Sequence, residues 1–472
     1  MYYLFPFGKV KQGAKIIIYG AGMVGQQLLS QVRETRFAEI VAIADRAYMR
    51  YPDIGIKLIA PEKITELEFD FIVIALESPD LVLEIKSFLV DAYHIDKEKI
   101  IWGCENKLTE HNTIRPLSNG KNIADFEPFA FERGNISLGV CLWGGLGDNI
   151  ISKKFLENLR EATDSVVAID LYCSQIFSHY AKAIFQEPWY RIYDEYYIYE
   201  WNKTKYDVAL CPDYILRIDH INVEGLKRKS KKLGEILIAL MDKIREYGLD
   251  AKPLCEYSIH FARSKYQGWD AYIAMGHGIF KDKGHKVNIP LQEAAKKRFN
   301  ELKLPQRYIT LNYGWGTKDL KKGLPAKIWL LSNYMELTRM LRKEFPEYSL
   351  VQLGTKGSAV IEGVDHVIQG ESLEIVKYIL LNSALHIDCE GGLVHLATQL
   401  GTKCVVLFGP TPESYFGYKS NINISANVCK PCYYAYNDFT LCARGLKEPL
   451  CMMSITPAMV MDRIVEYLSN TG

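Results

Sequence analysis

No apolar run in this chain approaches 18 residues, so no segment reads as a membrane-spanning helix. The opening Met1-Tyr-Tyr-Leu-Phe-Pro-Phe-Gly has neither a charged n-region nor a long apolar stretch, so it does not read as a secretory signal. Charge of either sign is not in excess: 57 Lys and Arg against 56 Asp and Glu leave a formal net charge of +1. No whole-chain field therefore draws the protein to nucleic acid. No short-period repeat is present. Eleven cysteines are too few for a disulfide scaffold of this size, and seven of them stand singly among apolar neighbours. Those seven read as small core residues in a reducing compartment, and the expected location is the cytoplasm.

What is present fits a globular enzyme-sized chain. Hydrophobic residues make up 48% and charged residues 24%, ordinary for a globular protein. At 472 residues the chain exceeds one core, and two or three domains are expected. One basic run, Lys227-Arg228-Lys229-Ser230-Lys231-Lys232, reads either as a solvated helix start or as a peripheral contact with anionic lipid or a glycolipid.

Three strand–helix blocks follow one another. The first starts at Lys15-Ile-Ile-Ile-Tyr, runs into Gly20-x-Gly22-x-x-Gly25 and a helix, and its second strand, Ile40 to Ala44, ends at Asp45. Strand, glycine turn, helix and downstream acid meet the context test for a dinucleotide fingerprint. A bound NAD or other nucleotide is one reading of this block; a scaffold or an oligomerisation module for a homo-oligomer is the other. After a segment at 107–134 that reads as linker, Ile136 to Trp143 restarts the pattern, with a turn at Gly144-Gly-Leu-Gly147 and a helix from Asp148 to Glu161. The third block begins at Tyr308. Strands alternating with helices imply parallel sheets covered on both faces.

The most informative stretch is Asp388-Cys-Glu-Gly-Gly-Leu-Val-His-Leu-Ala, followed by the strand Lys403 to Phe408 and Gly409-Pro-Thr411. Gly391 and Gly392 leave backbone N–H groups bare where a helix begins, and the dipole end there suits a phosphate. Glu390 and His395 flank that turn. Earlier, Asp148 sits at the carboxyl edge of a sheet, where it could take the proton of an attacking hydroxyl. An aspartate in a first helical turn is also favoured by the dipole alone. Lys318, Lys321 and Lys322 lie in a loop before Pro325 and Trp329. Cys429, Cys432, Cys442 and Cys451 fall within 23 residues and read as a thiolate site for structural zinc or iron, with disulfides as the rival. His277 and His285 lie in a glycine-rich stretch and read as neutral loop histidines.

Over about residues 135–472 these motifs resemble, in order, those of glycosyltransferase family 9, the heptosyltransferases. Glu-Gly-Gly-x-x-His-Leu-Ala followed by Phe-Gly-Pro-Thr is similar to the family's donor motif, and Gly144 to Asp148 to its Gly-x-x-Gly-Asp turn. The chain departs from many members in having Glu390-Gly391 where they carry Asp-Thr. The resemblance implies an α/β protein of GT-B architecture, two Rossmann-like domains facing a cleft, here preceded by a small Rossmann-like domain. The expected divisions are 1–106, the linker, 135–305 for the acceptor side and 306–472 for the donor side. It further implies an inverting transferase that needs no catalytic metal, moving a sugar, by analogy heptose from ADP-heptose, onto a glycan, glycolipid or protein hydroxyl. Asp148 would be the base, Lys322 would hold the diphosphate, and Glu390, Gly391, Gly392, His395, Gly409 and Thr411 would hold the donor. The rival readings are an NAD-dependent nucleotide-sugar oxidoreductase centred on Gly20 to Asp45, and a non-catalytic sugar-nucleotide-binding assembly protein.

Overall fold

The structure is a computed structural model. It describes every residue except 1, 4, 8, 52–53, 105–106, 109–127, 134, 174–176, 195, 214, 247–268, 281–283, 314–324, 433–440 and 470–472.

The chain is α/β, with three successive sheets. In the first, five parallel strands lie in the order Leu58–Ile59, Glu39–Ala44, Lys15–Tyr19, Phe71–Ile74, Ile100–Trp102. The second has the order Tyr190–Tyr193, Val167–Cys173, Ile136–Leu142, Val208–Asp213, Ile215–Ile221. The third has six parallel strands, His366–Gln369, Ser349–Gly354, Tyr308–Asn312, Leu385–Cys389, Cys404–Phe408, Ile422–Ser425. In the first and second sheets the earliest strand is central, and in the third Tyr308–Asn312 sits between Ser349–Gly354 and Leu385–Cys389. The sheet order therefore reverses beside that strand in each, the Rossmann-like pattern that opens a crevice at the carboxyl ends. The strands Ile136–Leu142 and Val167–Cys173 are buried at every residue, because helices cover both faces.

One strand breaks the parallel rule. Ile215–Ile221 pairs antiparallel with Val208–Asp213 as a sheet edge. Its Arg217, Asp219 and His220 give it a polar alternation that the block pattern does not anticipate. The expected linker also holds structure: Lys107–Leu108 pairs antiparallel with Tyr2–Tyr3, and Phe129–Arg133 is a short helix.

Two continuous cores join the three blocks. Phe5, Phe7 and Phe37 of the first block share a core with Tyr199 and Trp201 of the second, and the Phe37 and Trp201 rings lie edge-on, 4.6 Å between centroids. A second core runs from Leu146 and Ile150 into Val394 and Leu396, across the second and third sheets. Two ammonium groups are fully buried, and that of Lys377 bridges the same seam. Lys153 Nζ donates to Ile184 O, Glu187 Oε1 and Asn288 O at 2.6–2.9 Å. Lys377 Nζ donates to Ala183 O at 2.6 Å, Pro290 O at 2.8 Å and both Glu374 carboxylate oxygens. Buried charge is tolerated there because each ammonium has a full set of acceptors.

Candidate functional site

The turn after Ile136–Leu142 and the turn after Leu385–Cys389 meet. The first helix begins at Leu146, two residues before the expected Asp148, so Asp148 lies inside the first turn. Gly144 takes φ +85, a left-handed value that a side chain disfavours, and the Asp148 carboxylate folds back over it. Asp148 Oδ2 accepts the Gly145 N–H at 2.7 Å. From the other side the Gly392–Leu400 helix presents its N-terminus. A methyl group on Gly392 would stand 2.8 Å from Leu146 Cβ, and one on Gly147 would stand 2.7 Å from His395 Cδ2. Glycine at both positions is what lets the two helix starts touch.

Beside this contact is a cavity of about 630 Å3 walled by both domains, with Gly145, Leu146 and Tyr180 on one side and Lys327, Asp388 and Glu390 through Leu393 on the other. The N–H groups at the start of the glycine helix therefore border a half-open cleft large enough for a nucleotide-sized ligand. Gly391 is fully extended there (φ 177).

The charges in this wall are coupled to one another and to Asp148 and His395 behind it. Lys327 Nζ lies 2.5 Å from Glu390 Oε2, and His395 Nε2 lies 3.9 Å from Glu390 Oε1. Burial alone would raise the Glu390 pKa, but Lys327 and His395 outweigh it and hold the carboxyl at about 2. Asp148 goes the other way. Burial raises its pKa, aided by Glu390 and opposed by the Gly145 N–H, His395 and Lys327. Asp388, raised by burial too, is held by the Asn312 side-chain amide at 3.0 and 3.1 Å and faces His386 at 3.6 Å. Two nearby carboxyls pushed in opposite directions is the pattern that separates a proton acceptor from a permanent anion.

The sequence reading missed Lys327. It selected Lys322, which lies outside the described residues, as do Lys318 and Lys321. Lys327 stands two residues past Pro325 and two before Trp329, whose indole N–H donates to Ile455 O at 2.7 Å and anchors this segment. Asp148, His395, Gly409 and Thr411 are not in the cavity wall, although the turns that carry Asp148 and His395 border it. Gly409 instead abuts Met452 and Cys451, where a Cβ would collide with the Met452 sulfur. His277 is buried against Leu216 O, and burial lowers its pKa to about 4. His285 pairs with Asp270 at 2.5 Å and stacks on Tyr272.

The ten described cysteines are free thiols. Cys451 is pushed up to about 11, first by burial and then by the thiols of Cys429, Cys432 and Cys442. Among the described residues, however, no group of three or more His, Cys, Asp or Glu side chains is arranged to hold a metal ion. The basic run spans two helices, Val223–Lys229 and Lys231–Glu246, and Lys229 is drawn inward to Asp207 at 2.7 Å. Among the described residues no helix is long and apolar enough to cross a membrane.

In the first block, Gly25 packs on the Gly20 carbonyl with no room for a side chain. Asp45 Oδ2 accepts the Ala21 N–H at 2.8 Å and Oδ1 accepts the Ala47 N–H at 2.7 Å. Asp45 thus ties the glycine turn to the end of the neighbouring strand.

Residues 12–101 match the family model described as C2185-like, N-terminal. No curated protein matches the chain in sequence. Among solved structures, the chain is similar to the ADP-heptose lipopolysaccharide heptosyltransferase II of E. coli at 15% identity, covering 71% of this chain and 99% of that one, TM-score 0.46. It is similar to a glycosyl transferase family 9 protein of Veillonella parvula DSM 2008 at 14% identity, covering 71% and 98%, TM-score 0.44. The iron-containing dodecameric glycosyltransferase TibC of enterotoxigenic E. coli H10407 matches at 13% identity, covering 72% and 77%, TM-score 0.46.

Proposed function

We propose that the protein is a glycosyltransferase that takes a sugar from a nucleotide diphosphate and passes it to a hydroxyl with inversion. The observation that carries this reading is the direct apposition of the Asp148 turn and the Gly391–His395 turn beside one cavity. Asp148, its pKa raised by burial, is the proton acceptor for the attacking hydroxyl. The N–H groups of Gly391, Gly392 and Leu393 take the diphosphate, and Lys327, with Lys322 from the neighbouring loop, offsets charge building on the leaving group. With two ammonium groups in that role, no catalytic metal is required by the scheme. Glu390, fixed as an anion, binds sugar or ribose hydroxyls. Heptose from ADP-heptose is the donor we favour, supported by the family resemblance of the motifs; a glycan, glycolipid or protein hydroxyl is the acceptor class.

Cys429, Cys432, Cys442 and Cys451 are proposed, on their spacing, to hold a structural zinc or iron, with no part in the transfer. Metal analysis of purified protein that finds neither, together with four titratable thiols, would remove that element. The N-terminal block is read as a scaffold, supported by the core it shares with Trp201 and by Asp45 bonding within its own turn. A thermal shift of the full chain with NAD would overturn this.

The central experiment is a panel of nucleotide sugars scored by thermal stabilisation and then by transfer. One nucleotide diphosphate sugar should stabilise both wild type and Asp148→Asn, while only wild type transfers. Stabilisation by NAD alone, or binding without any transfer or donor hydrolysis, would favour an oxidoreductase or a non-catalytic binding protein.

A further inference from the structure

The hydrogen-bond chain behind His395 can run in one direction. It begins at the backbone N–H of Val287, which can only donate, 2.8 Å from Gln399 Oε1. That contact fixes the side-chain amide, so Gln399 presents its Nε2 to the Tyr272 hydroxyl at 3.3 Å. Tyr272 Oη lies 2.5 Å from Tyr418 Oη, which lies 2.6 Å from His395 Nδ1. Having accepted from the amide, Tyr272 sends its own proton to Tyr418. Tyr418 then sends its proton to Nδ1. The reverse order would make Tyr272 accept twice and leave its proton without an acceptor among the described residues. Tyr418 and His395 are both buried, so an unmade bond would be costly.

We infer that this chain makes Nδ1 of His395 a hydrogen-bond acceptor and keeps the ring proton on Nε2, and that Tyr418 is thereby a positioning residue for the donor half of the cleft. The Nε2–H faces Glu390 Oε1 while Lys327 takes Oε2, so the carboxylate in the cavity wall is gripped from both ends. Tyr272 and Val287 come from the second block, and Gln399, His395 and Tyr418 from the third. The tautomer of a site residue is therefore written from across the domain seam. Its assignment stands on geometry alone; its role in donor placement rests on the proposed transferase reading.

The test is the long-range 1H–15N spectrum of the full chain carrying 15N-histidine, with the His395 signals identified by their loss in His395→Gln. Wild type should show a protonated Nε2 and a bare Nδ1 at neutral pH. Tyr418→Phe should move both signals toward a mixture of tautomers. A wild-type Nδ1–H, or a Tyr418→Phe spectrum unchanged from wild type, overturns the inference. The wild-type spectrum decides even if Tyr418→Phe does not fold. No substrate is needed, so the two readings fail separately. An Nε2–H tautomer in a protein that binds no nucleotide sugar sinks only the function, and donor binding with an Nδ1–H sinks only the relay.

Discussion

The His395 ring stands against Gly147, so close that a methyl group on the glycine would lie 2.7 Å from Cδ2. Gly147→Ala should therefore part the two turns although alanine is the better helix former. Overpacking of this kind costs about 1–3 kcal/mol. A melting curve should show that loss, and donor-induced stabilisation should weaken with it. Undiminished donor binding in this variant would mean the contact is not part of the donor site.

Asp148→Asn should cut transfer roughly 10²–10⁴-fold, the usual worth of a general base. Its effect on stability should have the opposite sign. A folded pKa raised by burial means that ionised Asp148 weakens the fold as pH rises through that pKa. Asparagine removes the charge and can still accept from Gly145. Melting at neutral pH should hold or rise while activity disappears; a clear fall would show the carboxylate to be structural.

The transfer rate should carry an acid limb displaced above the ordinary carboxylate range, because the base must be deprotonated and burial raises its pKa. A pH–rate profile that stays flat down to the usual aspartate value of 3.8 would contradict the assignment.

Lys327→Met should leave Glu390 buried beside His395 without its ammonium partner. Breaking one side of a buried pair costs about 3–5 kcal/mol. In wild type the depressed Glu390 pKa lends stability that is present above 4.5 and lost as pH falls toward 2. In the variant that acid loss should begin at higher pH, because His395 is then left to oppose burial without the ammonium. Melting temperatures between pH 7 and 3 for the two proteins would decide it, and parallel curves would sink the pairing.

Phe37→Ala should cost about 3–5 kcal/mol, the range for emptying a buried aromatic site. Because Phe37 and Trp201 share one core, the first and second blocks should still melt together. Two separated calorimetric transitions would argue that the blocks are independent.

Much of this was legible before the structure. The isoleucines of Lys15–Tyr19 and the mostly apolar run of Ile136–Leu142 announce central parallel strands, and Gly144 and Gly391 mark where strands turn into helices. The edge strands were harder. Ile215–Ile221 and Tyr190–Tyr193 alternate polar and apolar residues because one side faces solvent, and a buried-strand pattern passes over them. Lys327 was hidden for another reason: its partner, Glu390, is 63 positions away and only the fold pairs them. Tyr272 and Tyr418 carry no local signal, since either would be an ordinary core tyrosine without the other.

The aromatic face shared by Phe5, Phe7, Phe37 and Trp201 also sets an order of events on the ribosome. The first sheet is complete once Trp102 has emerged, yet its partner ring follows about 100 residues later, on the order of 5–20 s of synthesis. Throughout that interval the nascent N-terminal block stands with phenylalanines uncovered. Its need for a chaperone should peak then and vanish once the helix bearing Trp201 arrives.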